Sequence, residues 1–207
     1  MIIRMVKKLF CSLFLFVILL SIPACQVLPD QFIDLFSSIT GVQDHLKLGQ
    51  AAFDKQDYDK AISESTMAAE GTPQDAYIYY LRGQAYYFRY KTLYDAHDPK
   101  ADGYDFYRAA TDFTKAIELS NNYAEAYNFR GLVYAGLELN EHALADYNEA
   151  IKQSPNLATT YYGRGYLYET LGERDKAIAD YTQYLKLSDD AFWCAESEKR
   201  LKDLQNQ

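Results

Sequence analysis

A chain of 207 residues, 24% charged and 15% aromatic, is long enough to bury one sizeable core. Its net charge of −8 leaves no basic face for phosphates, which sets aside a nucleic-acid partner. Twenty tyrosines against three cysteines and three histidines argue for aromatic packing rather than metal or disulfide chemistry.

Residues 1–8 carry Arg4, Lys7 and Lys8, and residues 9–22 form an uncharged apolar run. The run is short for a bilayer span, which takes roughly 20 apolar residues, and suits the core of a signal peptide. It closes on Ile22-Pro23-Ala24-Cys25. This stretch resembles a bacterial lipoprotein signal, although Pro23 stands where a small residue is usual. The resemblance implies a signal peptide over 1–24, cleavage before Cys25 and lipid on that cysteine. Gln26 in the next position favours the outer membrane, with the chain facing the periplasm. Loss of the leader would take the net charge from −8 to −11. Cys194 would then be the one free thiol, with no intramolecular disulfide available.

Residues 25–41 read as the lipidated cysteine, a spacer and a short amphipathic helix. Phe32, Leu35, Phe36 and Ile39 share one helical face, and Pro29-Asp30 suits a helix start. The expected role is to cap the first repeat; contact with the lipid surface beside the anchor and a dimer patch are the alternatives.

From residue 42 a two-helix unit recurs. Its clearest copy spans 124–157. Tyr127, Gly131 and Tyr134 fall at i, i+4, i+7 on one helix, and Ala143, Tyr147 and Ala150 repeat the spacing on a second, before Pro155 ends it. The small residue within each stripe lets two backbones approach. Residues 158–191 repeat the pattern 34 residues later with Tyr161, Gly165, Tyr168, Ala177, Tyr181 and Tyr184. Residues 76–123 carry Tyr79, Gly83, Tyr86, Ala109, Phe113 and Ala116. Residues 42–75 carry a weaker version: His45, Gly49, Ala52, Ala61, Ser65 and Ala68, then Pro73. The 34-residue period and the repeated Arg-Gly-x-x-Tyr (Arg130–Tyr134, Arg164–Tyr168) resemble the tetratricopeptide repeat family. The resemblance covers 42–191. It implies an all-α fold: a right-handed α-solenoid of about four helix hairpins, with first helices lining a concave face that binds other polypeptides. Residues 192–207, with Trp193, Ser197, Leu201 and Leu204 on a narrow stripe, are expected to form the C-terminal capping helix.

The second copy departs from the pattern. Gly83 and Ala109 stand 26 residues apart where Gly165 and Ala177 stand 12 apart. Fourteen extra residues are close to four helical turns. An equal division predicts a long hairpin: a helix over 75–96, a turn over 97–103 built on Asp98-Pro99 and Asp102-Gly103, and a helix over 104–119. Tyr90, Tyr94, Tyr104 and Tyr107 fall near its tip, either zipping the hairpin together or presenting a partner site. His97, Asp98 and Asp102 match no recognised cation loop.

Arg82, Arg130 and Arg164 each precede a stripe glycine, and Glu64, Asp112, Asp146 and Asp180 recur on the second helices. Because Leu48 replaces the arginine of copy one, pairing across copies (Glu64 with Arg82, Asp112 with Arg130, Asp146 with Arg164) is the expected ladder.

First-helix positions off the packing stripe would line the groove: Tyr77, Tyr80, Gln84, Tyr87, Asn128, Tyr162 and Tyr166 are the candidate partner-binding residues. Tyrosine rings supply area at low entropic cost, and amides satisfy a peptide backbone. Chaperone-binding members of the family hold carboxylates with lysine, arginine and asparagine there. Only Asn128 matches. No catalytic, cofactor or metal motif is present. The expected function is a lipid-anchored envelope adaptor for protein partners, in secretion, pilus assembly, outer-membrane biogenesis or cell-wall enzyme regulation. The alternatives are a small-molecule or glycan receptor using the same groove, and a self-assembling structural protein.

Overall fold

Every hairpin begins from the same local instruction. The first helix ends on a residue in the left-handed region: Gln56 (φ 60°), His97 (φ 55°), Glu138 (φ 60°) and Gly172 (φ 75°). The next residue returns its amide to the carbonyl five positions back, Asp57 to Ala52, Asp98 to Leu93, Leu139 to Tyr134 and Glu173 to Tyr168, at 2.8–2.9 Å. This closure satisfies orphan carbonyls and reverses the chain. The second helices of copies one and three stop just before Pro73 and Pro155, which cannot continue a helix.

The structure, a computed structural model, describes residues 30–101 and 103–206, with side chains from residue 41 onward. The chain divides into two units, Met1–Ile39 and Thr40–Gln207. The expected leader, Cys25 and the spacer before residue 30 lie outside the described residues. So do the side chains of Phe32, Leu35, Phe36 and Ile39. Among the described residues the order is α1 (Asp30–Asp54), α2 (Tyr58–Gly71), α3 (Ala76–Asp95), α4 (Tyr104–Leu119), α5 (Ala124–Gly136), α6 (Asn140–Gln153), α7 (Ala158–Thr170), α8 (Arg174–Leu187) and α9 (Ala191–Gln205). Helix α1 starts at Asp30, as Pro29-Asp30 suggested, but runs through Gly41 without a break, so no separate short helix precedes copy one. No strand occurs among the described residues, and none of their helices is long and apolar enough to cross a membrane.

In the second unit consecutive helices pair and first helices lie side by side: α3 against α5, and α5 against α7. The stripe residues form the seams. Gly83, Gly131, Gly165, Ala109, Ala143 and Ala177 are all buried. A Cβ on Gly131 would stand 2.9 Å from the Tyr147 ring and 3.3 Å from the Ala143 carbonyl oxygen. One on Gly83 would stand 2.9 Å from the Phe113 ring. The missing side chain is what lets the larger aromatic ring lie flat across the helix.

The fourteen extra residues of copy two are not split equally. Seven lengthen α3, which has 20 residues against 13 in α5 and α7. Two lengthen α4, 16 residues against 14 in α6 and α8. The other five enlarge the turn. The reason is local: Asp98 accepts from the Lys100 amide at 2.8 Å and Pro99 follows it, so the chain cannot re-enter a helix at once. Helix α4 then starts after Gly103, without a side-chain cap.

Candidate peptide-binding groove and the ion-pair ladder

The ladder is present, but its pairing is within copies. Arg82 grips Asp112, Arg130 grips Asp146 and Arg164 grips Asp180, each through Nε at 2.8 Å and Nη2 at 2.7 Å. The antiparallel hairpin sets the residue before the stripe glycine opposite the residue before the stripe aromatic, and the planar fork meets the carboxylate bidentately. The preceding copy supplies a third, uncharged acceptor to Nη1: Thr66 at 3.2 Å, Thr114 at 3.1 Å and Asn148 at 2.6 Å. The expected cross-copy acid pairs are therefore corrected: each arginine takes the acid of its own copy, the cross-copy acceptor lies two residues beyond the expected acid, and Glu64 pairs with His45 at 2.7 Å instead. Tyrosines sandwich the guanidinium: Arg130 lies 5.4 Å from the Tyr127 ring centroid and 5.7 Å from Tyr134. The hydrogen bond to Asp180, the largest contribution, holds Arg164 above the usual guanidinium range.

Copy two repeats this device one heptad further out. Arg89 grips Asp105 at 2.8 and 2.7 Å, and its Nη1 reaches Asp59 at 2.6 Å. Each partner is displaced by seven residues, from Arg82, Asp112 and Thr66. Arg89 stands over Tyr86 as Arg82 stands over Tyr79, at 5.4 and 5.5 Å. The extra turns are braced by a copy of the ladder's own rung.

The candidate groove residues fall into two groups. Tyr80, Tyr87 and Tyr162 are packed into aromatic clusters. Tyr80 lies 4.9 Å from Tyr123 and 5.8 Å from Phe129, and burial pushes its hydroxyl well above the usual tyrosine range. Gln84 donates to the Tyr80 hydroxyl at 3.1 Å. Tyr87 meets Phe88, Phe106 and Phe129 at 5.1–6.0 Å. Tyr162 touches Tyr184, Tyr181 and Trp193. Asn128 is 3% exposed; its Nδ2 donates weakly to Thr159 at 3.4 Å, and its Oδ1 meets no donor in the chain. Tyr77 and Tyr166 remain open, 39% and 49% exposed. The Tyr77 hydroxyl donates to Gln50, and burial, then Asp54 and Asp75, raise its pKa.

Sequence reasoning missed the far end of this row. Helix α9 occupies the place of a fifth first helix. Trp193, Glu196 and Arg200 follow Thr159, Tyr162 and Tyr166 by the same 34 residues. Trp193 packs 5.0 Å from Tyr162, and Arg200 sits 4.9 Å over Tyr166 while bonding Glu169 at 3.1 Å. The 34-residue offset was the available signal, hidden because α9 has no second helix after it.

At the hairpin tip, Tyr90 packs against Phe106 at 4.3 Å and Tyr94 at 5.6 Å, so part of the expected zipper exists. Tyr94, Tyr104 and Tyr107 face solvent. No group of three potential metal ligands converges among the described residues.

A two-helix repeat with small residues at the seams, an arginine rung in each of its last three copies and first helices side by side defines a helical-hairpin repeat protein. A tetratricopeptide repeat model matches residues 115–190, and solved structures of that class superpose on the chain. Residues 115–190 thus match the tetratricopeptide repeat family, and the described chain shares the fold of that class. The crystal structure of MamA shares 25% identity and a TM-score of 0.58 over 78% of this chain and 81% of that one. TTC0263, a thermophilic protein of this class from Thermus thermophilus, shares 20% identity at a TM-score of 0.65, covering 80% and 82%. The first such domain of Spaghetti (RPAP3), bound to the HSP90 peptide SRMEEVD, shares 24% identity at a TM-score of 0.55, covering 64% and 94%. No curated protein sequence matches the chain.

Proposed function

We propose that this chain is a non-enzymatic adaptor, lipid-anchored in the bacterial envelope through Cys25, that holds a polypeptide along its first-helix face. The observation that carries the binding reading is the row of partly open aromatic rings on the first-helix face: Tyr77, Tyr166 and Trp193. Such rings offer an extended polypeptide contact area at low entropic cost. That a related fold is solved with a peptide supports a polypeptide ligand. The lipobox-like Ile22–Cys25 supports the anchor, and Gln26 supports the outer membrane facing the periplasm. Secretion, pilus assembly, outer-membrane biogenesis and control of cell-wall enzymes are the processes in which such an adaptor would serve.

Two measurements test this. Cys25→Ser should abolish lipid labelling and release the chain from membranes; retained labelling would overturn the anchor. Crosslinked partners captured from detergent-solubilised envelope should be lost with Tyr77→Ala and Tyr166→Ala combined. These residues are open, so the fold survives the change, whereas Tyr80 is structural. Partners captured equally by the double variant would remove the groove from the reading.

A further inference from the structure

The outward side of α4 carries side chains that neither the hairpin nor the groove uses. Tyr104 is 69% and Tyr107 59% exposed, and Thr111, Lys115 and Glu118 continue along the helix. The five positions are symmetric about Thr111: Tyr107 and Lys115 lie four residues to either side, Tyr104 and Glu118 seven. Those are the spacings of one helical face. The two halves differ in chemistry, one aromatic and the other ionic. Within the chain the ionic half is poorly satisfied, since Lys115 and Glu118 meet at only 3.4 Å. Shallow depressions flank the ridge. One, about 320 Å³, is lined by Tyr86, Tyr104, Tyr107 and Thr111; the other, about 380 Å³, by Tyr107, Thr111, Lys115, Glu118 and Tyr134.

We propose that α4 is a self-association surface on which a second copy of this chain docks, α4 antiparallel to α4 about a two-fold axis at Thr111. That operation sets the aromatic half of one helix against the ionic half of the other. The Lys115 ammonium meets the Tyr107 face and the Tyr104 hydroxyl meets the Glu118 carboxylate, each twice. A two-fold interface requires a patch complementary to itself, and a stripe with unlike halves meets that demand only in the antiparallel sense. The platform is rigid, because Asp105 one turn away is held by both Arg89 and Arg108. The pairing is independent of the groove and of its ligand.

The test is photocrosslinking of the full chain with p-benzoylphenylalanine in place of Thr111, and in place of Thr182 on α8 as the control. The expected product from Thr111 has twice the chain's mass and is absent from Thr182. Tyr104→Ser with Tyr107→Ser should lower its yield at least tenfold, and Lys115→Glu, on the other half of the stripe, should do the same. Tyr94→Ser, exposed but off the stripe, should leave it unchanged. Far-UV circular dichroism shows whether each variant keeps its helices. An adduct with a different polypeptide or with lipid, no adduct from Thr111, or an adduct that survives both stripe variants would overturn the proposal.

Discussion

Copies two and three place the same aromatic-glycine stripe and the same arginine rung on hairpins of different length. Copy three spends its residues on one rung, Arg130–Asp146, closed by Thr114 from the copy before. Copy two moves the helix stop outward by seven residues and adds a second rung, Arg89–Asp105, closed by Asp59. A heptad is close to two turns, so every lengthened face stays in phase. The difference teaches that a hairpin of this kind extends by repeating its own ion pair. The outward face of the added turns, having no neighbouring copy to cover it, carries the chain's most exposed tyrosines. In copy three the corresponding side of the turn is a three-residue link.

The comparison breaks most severely at the shared seam. Gly131→Val should cost about 3 kcal/mol or unfold the domain, because the added atoms meet the Tyr147 ring and the Ala143 carbonyl together. Thermal or urea unfolding reads the loss. A loss under about 1 kcal/mol would mean that the helices separate without penalty. The two rungs come next. Asp146→Ala strands Arg130 and should cost about 3 kcal/mol. Asp105→Ala should cost less, about 1–2 kcal/mol, since Arg89 keeps Asp59. Equal losses would deny the added rung its second acceptor. A smaller change of opposite sign is expected at Tyr147, whose fully buried hydroxyl meets no partner in the chain. Tyr147→Phe should leave stability unchanged or raise it by about 1 kcal/mol. The smallest effect is at the turn of copy three. Glu138→Gly relieves a left-handed side chain and should stabilise by about 0.5 kcal/mol, once glycine's greater unfolded freedom is deducted.

Much of the fold was legible in residue order. The expected 75–96 helix matches α3 with Asp75 and Ala96 as its caps, and the helix over 104–119 coincides with α4. What spacing could not decide was the partition of the extra turns. Phase is kept by seven residues on either helix, and the Asp98-Pro99 turn settled the matter locally. Nor could it choose the carboxylate for each arginine, since the acid of the same hairpin and that of the preceding one are both one helix away. The candidate site was half legible. Tyr77 and Tyr166 are open, but Tyr80 and Tyr87 lie among Phe88, Phe113, Phe129 and Tyr123, partners spread over three helices and the link before α5.

The order of residues by itself determined where most helices of the repeats begin and stop and which face carries the small side chains. Those properties depend on neighbours within a turn or two: a capping carboxylate, a left-handed residue, a proline, a stripe with period 3.6. The tertiary structure alone decided which arginine meets which aspartate, which tyrosines are consumed as core and which stay open to a partner. Such outcomes depend on the distance and angle between helices far apart in the chain, and a pattern of residue types carries no measure of either.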